Sequence, residues 1–479
     1  MRSITLPVAL MSLFLSGCTL GPDFEKPMFG FGDKSWISED EQSVQYAAYS
    51  AIEEEWWRQL NDPVLDILVA KAIDENLDIQ IAQKNLERAD ALITQTRSGL
   101  FPSVDAEGGI TRQKLSENAG IPTGPGNPRI QNAYDVGLVS NWEIDIFGGT
   151  RREIAAAYAR FENLEEQKRD TLLLVLSEVA RNYVELRGEQ QRARLVENNI
   201  ALQEKTANLV KRRLDVGDAS EFDYSRTLAQ LQSTQSQLPN INGQIDTLIY
   251  RLSVLTGRPP EALLSELSDA APLPVNPEII KVGLRSEMLR RRPDIRAAER
   301  NLEAEVNDIG ARVSDLFPKF TLTGSAGYQS IGADDFISSG SQVWSIGPGI
   351  SWPIFSAGRI RAQINAEEAQ AEAAALEYER TVLLALEDAE AAFTQYGQEL
   401  ETRALLRKAV ATRAKNVDLA NKRYDSGLDS LINLIDTERE LLNSELEVIQ
   451  SETSLILKLV RLYKSLGGGW KVQDAKENG

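Results

Sequence analysis

The sequence predicts a mainly α fold with membrane β structure. Duplicated helical hairpins form an α-barrel, and each chain contributes four strands to a β-barrel shared with other chains. Three observations predict this. The chain is written twice. Each copy holds a stretch of about 65 residues with no proline and a single glycine, Gly188 or Gly397. Each copy also carries one β-hairpin of alternating apolar and polar residues between its helices.

The repeat is read from landmarks. Asp78-Ile79, Leu100-Phe101-Pro102, Trp142, Ile146-Phe147, Asp215-Val216-Gly217 and Thr256-Gly257 return as Asp294-Ile295, Leu316-Phe317-Pro318, Trp352, Ile354-Phe355, Asp425-Ser426-Gly427 and Leu466-Gly467. The offset is 216 positions before each hairpin, 210 at the tryptophan, 208 at Ile-Phe and 210 again from Asp215 onward, so loops absorb the differences. Solenoid repeats run to ~20–50 residues. This is instead a duplicated supersecondary unit, which points to pseudo-symmetric assembly.

At the N-terminus, Arg2 precedes an apolar run from Ile4 to Leu15, followed by Leu15-Ser16-Gly17-Cys18. Residues 1–17 read as a bacterial lipoprotein signal, with Cys18 the first mature residue and the lipidation site. Cys18 is the only cysteine, so no internal disulfide is possible. By similarity to bacterial lipoproteins, Thr19 after it points to the outer membrane. Covalent lipid on Cys18 is the only non-protein group expected, and more than one acyl chain anchors stably at ~0.8 kcal/mol per buried methylene. No later window offers the ~18 apolar residues of a transmembrane helix.

The first repeat, 72–257, opens with a helix over about 72–99, which Phe101-Pro102 ends because proline disfavours a helical residue before it. A hairpin at about 103–147 follows. Tyr134, Val136, Leu138, Trp142, Ile144 and Ile146 share one face; Asp135, Gly137, Asn141, Glu143 and Asp145 share the other. A helix from about 150 to 214 then spans ~100 Å at 1.5 Å per residue. A returning helix over 220–255 is interrupted at Pro239-Asn240. After a linker, 258–286, the second repeat, 287–466, gives a helix over 287–315 and a hairpin at about 319–355. There Phe320, Leu322, Ala326 and Tyr328 share a face, as do Trp344, Ile346, Ile350, Trp352 and Ile354. Helices over 359–424 and 430–466 follow, the last without a break.

Strands of this length match the ~9–11 residues that cross hydrocarbon when tilted. Four cannot close a barrel, since the smallest use about eight. An open edge in lipid leaves backbone groups unpaired at several kcal/mol each. Several chains must therefore share the barrel, and a trimer supplies twelve strands.

Composition excludes several classes. A net charge of −19 argues against nucleic acid as a partner. The absence of histidine removes imidazole bases, Ser-His-Asp triads and imidazole metal ligands. No Walker loop and no GxGxxG after a strand is present. No catalytic constellation or metal-ligand set stands out, and the chain is not expected to be an enzyme.

Together these features resemble the TolC-like outer-membrane efflux channels, in the lipoprotein branch typified by OprM. The motifs that carry the resemblance are Cys18, Trp56-Trp57 with Asp62-Pro63, Arg292-Pro293-Asp294, Tyr424-x-x-Gly427-x-Asp429, Leu434-x-Asp436-x-x-Arg439 and Leu466-Gly467-Gly468-Gly469-Trp470. The resemblance implies a homotrimer with a twelve-stranded barrel in the outer membrane and an α-barrel in the periplasm. It implies a belt built from the terminal segments 18–71 and 467–479. It implies a passive conduit fed by an inner-membrane pump through a periplasmic adaptor, with the chain also held in outer-membrane lipid. Adaptor hairpins would dock at Val216, Gly217, Asp218 and Ala219 and at Ser426, Gly427 and Leu428. A periplasmic gate would involve Asp429, Ile432, Asp436 and Arg439, three Asp436 side chains repelling near the axis unless paired. The alternative is a lipid-anchored periplasmic rod or adaptor without a membrane barrel. Adaptors carry one helical hairpin between β-rich halves, whereas this chain has two hairpins and no such halves.

Overall fold

The structure, a computed structural model, describes residues 19–28, 30, 36, 46–47, 54–116, 118, 124, 128–275, 280–281 and 284–470. Cys18 and residues 471–479 lie outside these. In chain order the main elements are α1 (Pro63–Glu75), α2 (Leu77–Ser98), β1 (Ser103–Lys114), β2 (Ile130–Ile144), α3 (Gly149–Asp215), α4 (Glu221–Gln235) and α5 (Leu238–Leu255). There follow α6 (Arg285–Arg291), α7 (Pro293–Ser314), β3 (Lys319–Ser330), β4 (Gln342–Ser351), α8 (Arg359–Asp425) and α9 (Leu431–Ser465). Two compact units are present. One joins the segment ending at Pro27 to 85–164 and 297–379; the other joins 28–84, 165–296 and 380–479.

The first unit contains the sheet, in the order β1-β2-β3-β4 and antiparallel throughout. The two hairpins are thus joined through β2 and β3, from Tyr134 opposite Ser330 to Ile144 opposite Phe320. Gly137 faces Gly327 across this junction, and a Cβ on Gly327 would lie 2.3 Å from the Val136 carbonyl oxygen. Only glycine allows so close a backbone approach. Beside the sheet, the segment from Thr19 is pinned. The Leu20 amide donates to the Phe147 carbonyl at 3.3 Å, and the Arg152 guanidinium donates to the Leu20 carbonyl and to Asp23.

The second unit holds the helical reversals. The sequence predicts one helix over 72–99, but the chain breaks at Asn76 and the helical region starts earlier, at Pro63. Asn76 Oδ1 accepts from the Asp78 and Ile79 amides at 2.9 and 3.2 Å, capping α2. Its Nδ2 donates to the Leu255 carbonyl at the end of α5, at 2.8 Å. The second copy breaks at the equivalent position, Arg292, where Pro293 opens α7. The Arg292 guanidinium donates to the Ser465 carbonyl at the end of α9 at 2.8 Å and pairs with Asp294 at 2.7 Å. Asparagine and arginine at one repeat position thus perform one task, tying the break to the end of the returning helix.

The returning helices differ as the sequence indicates. Residues 236 and 237 separate α4 from α5 just before Pro239, while α9 runs unbroken over 35 residues. The glycine of α3 brings α9 close: a Cβ on Gly188 would fall 2.4 Å from Thr453 Oγ1. Beyond α9, Gly467 and Gly469 take positive φ, and Trp470 is buried beneath the guanidinium groups of Arg169, Arg291 and Arg296 at 4.9–5.9 Å. The indole face supplies the negative potential that holds them.

Candidate functional site

The sheet is the first functional surface. Its unbroken register sorts side chains strictly by face. Val104, Ala106 and Ile110 of β1 lie with Tyr134, Val136, Leu138, Trp142 and Ile144 of β2, with Phe320, Leu322, Ala326 and Tyr328 of β3, and with Trp344, Ile346 and Ile350 of β4. Most are exposed, including Ile110, Trp344, Ile346 and Ile350 at 69–77%. A contiguous apolar face of this size marks a membrane or interaction surface. The other face carries Asp105, Glu107, Asp135, Glu143, Thr321, Thr323, Ser325 and Ser345, with Lys319 at its end. From Tyr134 to Ile144 the strand advances ~34 Å at 3.4 Å per residue. Tilted by ~45°, that is an apolar band of ~24 Å, close to the height of a transmembrane barrel. Among the described residues β1 and β4 pair on one side only, so the sheet has two open edges.

Two tryptophans fix where the strands meet the helices. Trp142 Nε1 donates to the Leu100 carbonyl at 2.9 Å, and Trp352 Nε1 donates to the Leu316 carbonyl at 3.0 Å. Both acceptors lie just before the Phe-Pro that ends a helix, where orphan carbonyls need donors. Sequence reasoning took these tryptophans as strand aromatics and missed the contact, although both recur at repeat-equivalent positions.

The helical tips form the second surface. At the first, the Gly217 and Asp218 amides donate back to the Leu214 and Arg213 carbonyls at 2.9 and 2.8 Å. At the second, Gly427 and Leu428 do the same to Tyr424 and Arg423, at 2.9 and 2.8 Å. Both glycines take positive φ, 80° and 70°, as this helix-ending motif requires. Ser220 and Ser430 then cap α4 and α9. Val216, Asp218, Ser426 and Leu428 project into solvent, while Ala219 packs inward on Val210, Ala420, Leu431, Leu434 and Ile435. Both tips therefore share one small apolar core. Arg213 and Tyr424 tie them further, the guanidinium donating to the phenol at 3.0 Å.

The four expected gate residues divide into two groups. Asp429 is committed to its own turn: Oδ1 accepts from the Ser430 amide and Asn433 Nδ2, and Oδ2 from Arg423 at 3.1 Å. Those hydrogen bonds hold its carboxyl below the usual carboxylate range. Ile432 is half-buried on α9. Asp436 meets Arg439 at 3.4 Å, as its spacing allows, and also Arg226 of α4 at 3.5 Å. Sequence reasoning missed Arg226. The signal was present, since Arg226 and Asp436 are exact repeat equivalents, 210 positions apart and opposite in charge. Two residues along α9, burial pushes the Glu438 carboxyl up. Lipidation at Cys18 falls outside the described residues; Thr19, next to it, packs on Gly148 at the end of the sheet.

An exposed apolar sheet face of membrane-crossing height points to an outer-membrane channel class, and comparison with known proteins agrees. The chain matches the family described as outer membrane efflux protein over residues 68–258 and 284–468. It is 32% identical to the solvent efflux pump outer membrane protein SrpC of Pseudomonas putida, over 99% of this chain and all of that one. It is 30% identical to the probable efflux pump outer membrane protein TtgC of Pseudomonas putida, over all of this chain and 98% of that one. Among solved structures, the outer-membrane channel OprN superposes with a TM-score of 0.85 at 32% identity, over 95% of this chain and all of that one. The open state of the Neisseria gonorrhoeae MtrE channel gives 0.82 at 26%, over 95% and 99%. The chain belongs to the outer membrane efflux protein family. It is an outer-membrane efflux channel subunit, mainly helical with a small strand contribution.

Proposed function

We propose that three copies form a passive, non-enzymatic conduit that exports small molecules handed on by an inner-membrane pump through a periplasmic adaptor. The observation that carries this is the four-stranded sheet with one apolar face and two open edges. Its exposed edges and face are both satisfied when β4 of one chain pairs with β1 of the next and twelve strands close. Lipid on Cys18 anchors each chain beside the ends of its strands, next to the pinned Thr19. Adaptor hairpins dock at the exposed tip residues Val216, Gly217 and Asp218 and Ser426, Gly427 and Leu428, with Ala219 supporting the turn from inside. Asp436 is the gate carboxylate, held by Arg439 and by Arg226, with Ile432 beside it; Asp429 shapes the turn that presents them. Relatives are named for solvent, toluene and antibiotic efflux, which suits a conduit that leaves selection to its pump.

The test is purification from outer-membrane fractions. An SDS-resistant, heat-sensitive trimer that conducts in planar bilayers is expected, with acyl mass on Cys18. Release of a soluble, non-conducting monomer on Cys18→Ala substitution would overturn the barrel.

A further inference from the structure

We propose that the outward face of the barrel carries a site for a phosphorylated glycolipid of the outer leaflet, with Arg112 and Lys114 as its phosphate-binding residues. This rests on the outer-membrane barrel described above. The register of β1 is unbroken from Ser103 opposite Asn141 to Lys114 opposite Ile130. Positions 112 and 114 therefore continue the row of Val104, Ala106, Gly108 and Ile110 on the apolar face. Both side chains are exposed, and among the described residues neither has an ion-pair partner. The acidic residues Asp105, Glu107, Asp135 and Glu143 all fall on the opposite face. A chain of net charge −19 thus ends its lipid-facing surface in two unpaired cations.

Their height fits a headgroup. The last row shared by β2 and β3 is Tyr134 opposite Ser330, so β1 and β2 overrun the second hairpin. Arg112 and Lys114 stand ~7 and ~14 Å along the strand beyond Ile110, at ~3.4 Å per residue. That places them beyond Tyr134, the aromatic level with Ile110, on the side of the apolar band where lipid phosphates lie. Below them a groove of about 540 Å³ opens on the apolar face. Its apolar lining is Ala106, Val136, Leu138, Ala326, Tyr328 and Trp344, with Ala106 and Ala326 on either side of Leu138 in one row. The two alanines, set among larger apolar side chains, leave room for an acyl chain. Cations above an apolar groove match an anionic headgroup above hydrocarbon.

The test uses the purified full-length trimer in nanodiscs, titrated with bisphosphorylated lipid A and with the same lipid dephosphorylated. The expected result is that Arg112→Gln with Lys114→Gln weakens binding of the phosphorylated form roughly thirtyfold, at about fivefold per basic side chain. Binding of the dephosphorylated form stays unchanged, and the control Lys408→Gln alters neither. Ala326→Phe, which fills the groove, weakens both forms. Equal loss for both lipids in the double-glutamine variant, or no loss for either, overturns the phosphate site. Loss of the trimer in that variant without any lipid dependence overturns it in favour of contacts between subunits. Absence of an outer-membrane trimer in the wild-type chain is a different result and strikes the channel reading itself.

Discussion

If Asp436 is the gate carboxylate as proposed, removing Arg226 should loosen the closed entrance although it lies on the first repeat. Asp436 Oδ1 sits 3.5 Å from Arg226 and 3.4 Å from Arg439. These side chains are a third to a half exposed, so each pair is worth ~0.5 kcal/mol, in the range for surface ion pairs. Two pairs in each of three chains give ~3 kcal/mol, about 150-fold in the closed-to-open ratio at 1.4 kcal/mol per tenfold. Asp436→Asn should forfeit nearly all of this. Arg226→Ala should forfeit the cross-repeat half, ~1.5 kcal/mol or about twelvefold. Single-channel recording in planar bilayers reads the ratio directly as open probability at low voltage. The effect should shrink in high salt, because exposed charges are screened. If Arg226→Ala leaves open probability unchanged while Arg439→Ala raises it, the two tips are not coupled through Asp436 and the reasoning fails.

Other predictions concern the scaffold. Asn76→Ala removes the cap of α2 and strands the buried Leu255 carbonyl, a loss of ~2–4 kcal/mol in unfolding free energy; Asn76→Asp should recover the cap but not the donor, giving an intermediate midpoint in denaturant. Trp142→Phe and Trp352→Phe each delete one indole donor and should cost ~1 kcal/mol, additively, read as the temperature at which the proposed trimer dissociates. Glu438→Gln should raise thermal stability at neutral pH. The folded chain holds that proton more tightly than the unfolded chain, so stability is fullest below the ordinary carboxylate value of about 4.3 and falls as pH rises through the raised one. The gain from glutamine should therefore vanish at about pH 4, and a gain independent of pH would show that burial of the charge is not the cause.

Much of this fold was legible because its signals are local. Long helices need only the absence of proline and glycine, and strands need only alternation. The observed bounds of α3 and α8 fall within one residue of those read from the sequence. The break at Asn76 was not legible, because what stabilises it is a carbonyl 179 residues away. The Trp142 and Trp352 contacts were hidden for the same reason. Asp429 carries the motif of a gate residue; its oxygens accept from Ser430, Asn433 and Arg423, partners that sequence spacing does not reveal. Arg226 lay between these cases. Its contact with Asp436 is long-range, yet the repeat offset maps one onto the other, and comparing charges across the copies would have found it.

The two open edges of the sheet have a genetic consequence. In the proposed trimer each chain offers β1 to one neighbour and β4 to the other, so contacts run head to tail and close only when all three chains are competent. A proline on an outward-facing amide of β1 removes a ladder hydrogen bond at that edge while leaving β4 intact. Such a chain can join a ring but never complete one. Expressed alongside the normal gene, it should act as a poison: at equal levels roughly one ring in eight would be free of it, given random assembly of three. A recessive allele placed at the edge of a strand would thereby become dominant.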